Sequence, residues 1–363
     1  MLPINDLGRH VRGLKSEIEA AVARVIDSGW FVLGAEGRTF EVEFARYCGA
    51  AHAVGVANGT DAIEIALRAL DLGPGSRVAI VANAGYYGMT ALAAVGAEPA
   101  YVDVSEHNHL MDIAALEHAL SAGKVDCILI THLYGLMHDM EAICALAARR
   151  AIPVVEDCAQ AHGAMRNGHR AGSLGTAACF SFFPTKNLGA LGDGGALVTS
   201  DDVIAERVRK LRQYGWDRKY SVAVAGGRNS RLDEIQAAVL SAKLPYLDGW
   251  NTRRREIASK YSAGITNPAV TTPPVWGQES VAHLYVARSK KREKLAQYLK
   301  ALGIATDIHY PTPDHCQPNR AGNAPAIRLP VTERLAREII TLPCFPEMND
   351  SEVEHVIDAV NRW

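Results

Sequence analysis

The feature that most constrains this chain is the alternation, over its first two-thirds, of short apolar runs with runs of helical period. "HAVGVANGT" leads into "DAIEIALRALDLG", which Gly73-Pro74-Gly75 closes. "RVAIVAN" leads to "TALAAVG", "PAYVDV" to "DIAALEHALSAG", "KVDCILITH" to "DMEAICALAARRA", and "IPVVEDCAQA" follows. Strand, helix, strand at this rhythm is the pattern of βαβ units, whose strands form a mainly parallel sheet sandwiched by helices. The fold class expected is therefore α/β. Such a sheet takes ligands beyond the carboxyl ends of its strands. A dinucleotide-binding dehydrogenase shares the rhythm, but no G-x-G-x-x-G follows the first strand, which sets that class aside.

A further helical pattern begins around Leu232 to Leu240 and continues in "KLPYLDGWNTRRREIASKY" after a proline break at Pro245. The character then changes. "NPAVTTPPVWG" is a proline-rich connector, "SVAHLYVARS", "KREKLAQYLKALG" and "IATDIHY" read as strand, helix, strand, and "NDSEVEHVIDAVNRW" makes a final helix. A large unit over 1–245 and a smaller α+β unit over 246–363 are expected, a division natural for 363 residues.

Charge and cysteine usage narrow the function. The formal net charge is -2, against the basic excess of a nucleic-acid binder. Arg253-Arg254-Arg255 reads as a solvated helix face. The 7 cysteines are odd in number and lack C-x-x-C spacing, as expected of reduced thiols, so no metal is expected. No window approaches the roughly 18 consecutive apolar residues of a membrane span. The N-terminal segment lacks the apolar core of a signal peptide. A soluble cytoplasmic protein without a membrane partner is the expectation.

Three stretches could carry chemistry. Asn58-Gly59-Thr60 falls where a strand hands over to a helix. Backbone N–H groups and the Thr60 hydroxyl at a helix N-terminus make an anion site, and the same residues also suit a plain N-cap and turn. Asp157, in "VVEDCAQAHGA", ends a strand that reads as fully buried. A carboxylate there needs a cationic or hydrogen-bonding partner, or else it caps the next helix. His162 reads as a core histidine or a ligand contact. The third stretch is "SFFPTKNLGALGDGG", which carries Ser181 and Lys186. A lone lysine is most often a solvated surface charge. The glycines around this one let backbone or ligand approach closely.

Taken together, the three stretches resemble fold-type I pyridoxal-phosphate enzymes, and specifically the DegT/DnrJ/EryC1/StrS family of sugar aminotransferases. The matching text is "SGWFVLG", "NGTDAIEIALRAL", "GAEPAYVDV", "HLYG", "VEDCAQAHGA", "SFFPTKNLGALGDGGALVT", "LRQYG", "NSRLDEIQAAVL", "HLYV", "IHYPTPDHCQP" and "LPCFPEM". These segments run in family order over nearly the whole chain.

The resemblance implies roles residue by residue. Lys186 matches the lysine that holds pyridoxal 5'-phosphate as a Schiff base and then shuttles the proton. Asp157 matches the acid that pairs with the pyridine nitrogen, and Gln160 lies at the position near the ring hydroxyl. Gly59, Thr60 and Ser181 match the phosphate-holding positions. Asn229 matches an asparagine offered to the neighbouring subunit's cofactor, which implies a homodimer with shared sites; it also suits an N-cap. Where relatives read "PAFTFVAT" this chain reads "VANAGYYGMTALA", so Tyr87 aligns as the ring stacker and Tyr86 as its neighbour, and either could instead pack beneath the loop. Trp30, Phe31, His309 and Tyr310 fall in segments lining the family's sugar pocket. Lys219 and Arg228 are candidates for a nucleotide diphosphate, with ordinary surface charge as the alternative.

The implied activity is transfer of an amino group from L-glutamate, through the pyridoxamine phosphate form, to a C3 or C4 ketone of a nucleotide-linked deoxysugar. The product would feed polysaccharide, O-antigen or glycosylated natural-product synthesis. Dehydratases of the family carry histidine where this chain has Lys186, which argues for transamination. A non-catalytic regulatory protein is the other alternative, and the intact set of Asp157, Gln160, Ser181 and Lys186 argues against it.

Overall fold

A seven-stranded sheet organises the larger part of the molecule, in the order β1-β7-β6-β5-β4-β2-β3. The strands are β1 (His52–Val56), β2 (Arg77–Ile80), β3 (Glu98–Tyr101), β4 (Cys127–Thr131), β5 (Val154–Asp157), β6 (Ala177–Ser181) and β7 (Gly195–Thr199). The computed structural model describes residues 1–318 and 327–363. Pairings from β3 through β6 are parallel, and β7 is antiparallel to both β6 and β1. The α/β class expected from the alternation is the class observed.

These strands read as near-continuous apolar runs because both faces are covered. Side chains alternate across the sheet. Val154 and Phe180 join one core with Phe40, Phe44 and Phe182, while Val155 and Cys179 join the other with Ile65, Leu67 and Leu92. A third core gathers Ile257, Tyr261, Leu295, Ile340, Phe345 and Val356 around a two-stranded antiparallel ladder, β8 (Tyr285–Arg288) with β9 (Ile339–Leu342). The break at Pro245 is a 3-10 turn, Leu244–Tyr246, joining helices Glu234–Lys243 and Leu247–Gly264.

The small ladder corrects the reading of "IATDIHY" as a strand. Only Ile304 and Asp307 form isolated bridges there, and β9 takes the place beside β8. Asp307 bridges to Thr341 of β9, so the segment lies along that strand without entering a ladder. Among the described residues no helix is long and apolar enough to cross a membrane.

The register brings three strand ends to one edge. Thr131 lies opposite Asp157, and Asp157 opposite Cys179, two residues before the end of β6 at Ser181. Glu156 and Asp157 point to opposite faces. Glu156 is fully buried and accepts from His132 Nε2 at 2.8 Å and from the N–H groups of Gly172, Leu174 and Gly175. Burial alone would raise its carboxyl, but His132 and these N–H groups more than offset that and hold it below the usual value. His132, Glu156 and Cys158 bring donor atoms within 4.8 Å, yet the carboxylate is already taken up by the protein's own donors. Glu156→Ala would strand those donors. It is expected to cost about 3–5 kcal/mol of stability, read as a lowered urea midpoint.

Candidate active site

A cavity of about 710 Å³ opens at the carboxyl edge of the sheet, a size within the usual range for small-molecule sites. It is lined by Asn58, Gly59, Thr60, Tyr87, Thr131, Asp157, Gln160, Ser181, Lys186, His283, His309 and Tyr310, among others. Ten of these twelve positions come from three places: the ends of β1, β4, β5 and β6, the loop between β6 and β7, and the segment before β9. The sheet order makes the first two places neighbours, and the segment with His309 and Tyr310, which bridges to β9 through Asp307, is brought to them from outside that sheet.

One end of the cavity is an anion cradle. Helix α1 (Gly59–Ala69) begins at the cavity wall, and the side chain of Asn58 caps it by accepting from the Asp61 N–H at 2.8 Å. The N-cap and anion-site readings are therefore compatible. The cap uses the third amide of the helix, and the Gly59 and Thr60 amides have no acceptor among the described residues. A helix N-terminus with free amides favours a bound phosphate. Gly59 also has to be small, because a Cβ there would sit 2.6 Å from Ser181 Cβ. Gly59→Ala is expected to push Ser181 aside and weaken cofactor binding roughly tenfold while the melting temperature barely moves. Titration of the apoprotein with pyridoxal phosphate measures this.

The other end holds a lysine and a buried acid. Burial pushes the Lys186 ammonium down to about 8, against the Asp157 charge, which favours the protonated form. Burial likewise pushes the Asp157 carboxyl above its ordinary value, and the Ala159 N–H, the Lys186 charge and the Thr131 hydroxyl hold it back. Asp157 accepts from Ala159 N–H at 3.1 Å and from Thr131 Oγ1 at 3.2 Å. The carboxylate is thus poorly compensated by the protein alone, as suits a site for a cationic ring nitrogen.

A low pKa does not by itself mark the nucleophile. Lys243 is also buried and also pushed down to about 8, but its Nζ donates to the Gly189 carbonyl and it does not line the cavity. That bond pins the far end of the lysine loop. The glycines of the loop serve close backbone approach. A Cβ on Gly189 would lie 2.3 Å from the Pro184 carbonyl oxygen, and one on Gly195 would lie 2.4 Å from the Asn58 carbonyl.

An aromatic wall closes the side. Tyr87 meets Tyr310 edge to face with ring centroids 6.1 Å apart. Gln160 Nε2 donates to Tyr310 Oη at 3.0 Å, and Gln160 Oε1 accepts from the Tyr134 N–H at 2.6 Å. Tyr134 Oη in turn donates to the His309 carbonyl. His309 Nδ1 pairs with Thr341 Oγ1 at 2.9 Å.

The structure therefore brings together Gly59, Thr60, Tyr87, Asp157, Gln160, Ser181, Lys186, His309 and Tyr310. It places the other sequence candidates elsewhere in the single chain. Tyr86 packs against the core beneath the loop, and its N–H donates to Asp314 Oδ1 at 3.0 Å. Arg228 pairs with Asp61 at 3.2 Å and with Glu64, both on α1. Lys219 sits 5.1 Å from the Tyr220 ring, Asn229 is exposed, and Trp30 and Phe31 are 63% and 51% exposed. His162 is fully buried beside Phe180 and Phe182 and does not line the cavity.

Sequence reasoning missed Thr131, Asn5 and His283. His283 Nδ1 pairs with Asn187 Oδ1 at 2.9 Å, and burial and the Lys186 charge hold its ring neutral. Asn5 Nδ2 donates to the Thr185 carbonyl at 3.3 Å. His283 is the first residue of the segment "HLYV", which was the one available signal.

These residues fit a phosphorylated aromatic aldehyde. Free amides would meet its phosphate, a buried carboxylate its ring nitrogen, and a readily neutralised amine its carbonyl carbon. Comparison with known proteins agrees. The DegT/DnrJ/EryC1/StrS aminotransferase family matches residues 13–361. The dTDP-3-amino-3,6-dideoxy-alpha-D-galactopyranose transaminase of Aneurinibacillus thermoaerophilus is 45% identical, over 100% of this chain and 99% of its own. The structure of Streptomyces venezuelae DesV with a ketimine intermediate superposes with a TM-score of 0.96 at 44% identity, covering 100% of this chain and 98% of that one. NtdA of Bacillus subtilis, with bound cofactor PMP, gives 0.92 at 26% identity, covering 99% and 84%.

Proposed function

The chain belongs to the DegT/DnrJ/EryC1/StrS aminotransferase family, and from that premise we propose that it moves an amino group from L-glutamate to the keto carbon of a nucleotide-linked deoxysugar. The observation that carries this reading is the cavity in which the Lys186 amine, held near 8, shares one chamber with the buried Asp157 and the free amides of α1. Pyridoxal phosphate, when bound, supplies an electron sink for the charge left when the substrate carbon loses its proton.

The protein's own residues do the rest. Gly59, Thr60 and Ser181 would hold the phosphate. Asp157 would keep a proton on the ring nitrogen, and Gln160, steadied by Tyr134 and Tyr310, would meet the ring hydroxyl. Tyr87 would cover the ring. With the cofactor bound, Lys186 Nζ would take the proton from glutamate Cα in one half-reaction and deliver a proton to the sugar carbon in the other. The name of the Aneurinibacillus relative favours amination at C3. We read residues 1–245 as the cofactor-binding unit and 246–363 as the smaller one that contributes His309 and Tyr310. The setting is cytoplasmic synthesis of an amino sugar for O-antigen or another polysaccharide.

The active unit in this reading is a homodimer. Trp30 and Phe31 are exposed and lead into Val32, which bridges to Asp233, four residues after the exposed Asn229. Tyr220 nearby in sequence is 77% exposed. Exposed aromatic groups of this kind suit a subunit interface. Trp30, Phe31, Lys219, Arg228 and Asn229 would then serve the neighbouring copy's cavity. If so, co-refolded Lys186→Ala and Asn229→Ala chains should recover about a quarter of wild-type activity, since half of the dimers are hybrids with one intact site. Recovery of none would show that each site is built from one chain.

The test of the function is to incubate the protein with glutamate and a panel of thymidine- and uridine-linked 3- and 4-keto sugars. An amino-sugar mass and 2-oxoglutarate are expected in equal amounts. A dehydrated sugar without 2-oxoglutarate would overturn the reading.

A further inference from the structure

A second cavity, of about 480 Å³, lies behind the aromatic wall of the first. Leu284 lines both cavities, and its N–H donates to the Tyr134 carbonyl at 3.4 Å. Tyr134 lines the second cavity, while its N–H and hydroxyl hold Gln160 and His309 of the first. The two chambers thus share one wall, and that wall positions active-site groups.

The lining has a definite chemistry. Trp276, Pro273 and Pro274 supply flat apolar surface. Of the charged groups, Arg288 pairs with Glu106 at 3.0 Å, and Glu106 also pairs with Arg334 at 2.6 Å, so that carboxylate is spoken for. Arg255 is different. Its guanidinium donates to Thr252 Oγ1 at 2.9 Å, and no carboxylate lies within 4.0 Å of it among the described residues. Asp248 and Glu256 act on this guanidinium only from beyond ion-pair distance, and burial outweighs their pull. A half-buried guanidinium that no carboxylate contacts, lining one cavity with an indole and two prolines, selects a planar apolar body carrying an anionic group. The volume falls within the range of small-ligand sites.

We propose that this cavity is a separate binding site for a small aromatic carboxylate or phosphate, held by Arg255 and Trp276, whose occupancy is felt at the cofactor site through Tyr134.

The experiment uses the cofactor-loaded protein and two probes, 2-naphthoate and 1-naphthyl phosphate, in isothermal titration calorimetry, with 2-naphthalenemethanol as the uncharged control. Saturable binding of at least one anionic probe is expected in the submillimolar range, with the alcohol at least about tenfold weaker. Arg255→Gln should weaken the anion at least about tenfold and Trp276→Ala about threefold or more, with unchanged melting temperatures. Saturating probe should change the dissociation constant of pyridoxal phosphate in the wild type and leave it unchanged in Arg255→Gln. Absence of saturable binding by both anions, or binding that Arg255→Gln and Trp276→Ala leave intact, would overturn the site. An unchanged cofactor constant in the saturated wild type would overturn the coupling. The binding arm stands apart from the aminotransferase reading, because the heat of binding is measured whether or not the protein transaminates.

Discussion

Lys186→Ala is expected to lower transamination by at least about 10⁴-fold, because one substitution removes both the cofactor's covalent anchor and the proton carrier. Folding should survive it, since the change removes a buried amine that carries a desolvation cost. Lys186→Arg should be as inactive, because guanidinium stays protonated and cannot attack a carbonyl. In the wild type, the rate of cofactor capture should rise with pH through about 8 and then level off. The sign follows from the shift. Burial disfavours the charged amine, so the neutral nucleophile becomes the major form above about 8, where a solvated lysine would still be protonated. Stopped-flow mixing of apoprotein with pyridoxal phosphate across pH measures it. Capture that keeps rising past pH 10 would show a lysine in ordinary solvent.

Asp157→Asn is the second large effect, with kcat/KM expected to fall about 10²–10³-fold, the range for loss of one preorganised electrostatic partner of the reacting group. Asparagine keeps the size of the side chain but cannot hold a proton on a ring nitrogen. The apoprotein should be as stable as the wild type or more so, because its buried carboxylate is only partly compensated by Ala159, Thr131 and Lys186. Activity and stability therefore move in opposite directions, which a merely structural acid would not produce. Removing the Asp157 charge also removes what favours protonated Lys186, so the midpoint for cofactor capture should move below that of the wild type. A variant that unfolds, or one that keeps its rate, would contradict the assigned role.

The parts of this site legible in the sequence share a cause. Strands buried on both faces leave continuous apolar runs, so β4 and β5, and the acid that ends β5, stood out. The loop carrying Lys186 stood out because its backbone packs on itself and on Asn58, and only glycine permits that. What stayed hidden depends on distant contacts. Thr131 reaches Asp157 from 26 positions away, and Arg228 reaches Glu64 from 164. Glu156 was overshadowed by its neighbour, because nothing in "VVED" says which acid faces the ligand and which anchors Gly172 and Gly175.

Ile339–Leu342 was missed for another reason. The helix Pro330–Glu338 runs directly into it, so no turn residue marks where the strand Ile339–Leu342 begins. "IATDIHY" misled in the opposite sense. Its β-branched and aromatic residues suit a strand, but tertiary structure uses the segment to carry His309 and Tyr310 to the cavity, and it pairs only at Ile304 and Asp307.

The most direct test is to load the apoprotein with pyridoxal phosphate, reduce with borohydride, and map the modified peptide by mass. The account predicts a visible absorption band before reduction and a single stable adduct on the peptide that carries Lys186, both absent from Lys186→Ala. An adduct on Lys243 or a surface lysine instead, or the same band in Lys186→Ala, would contradict it.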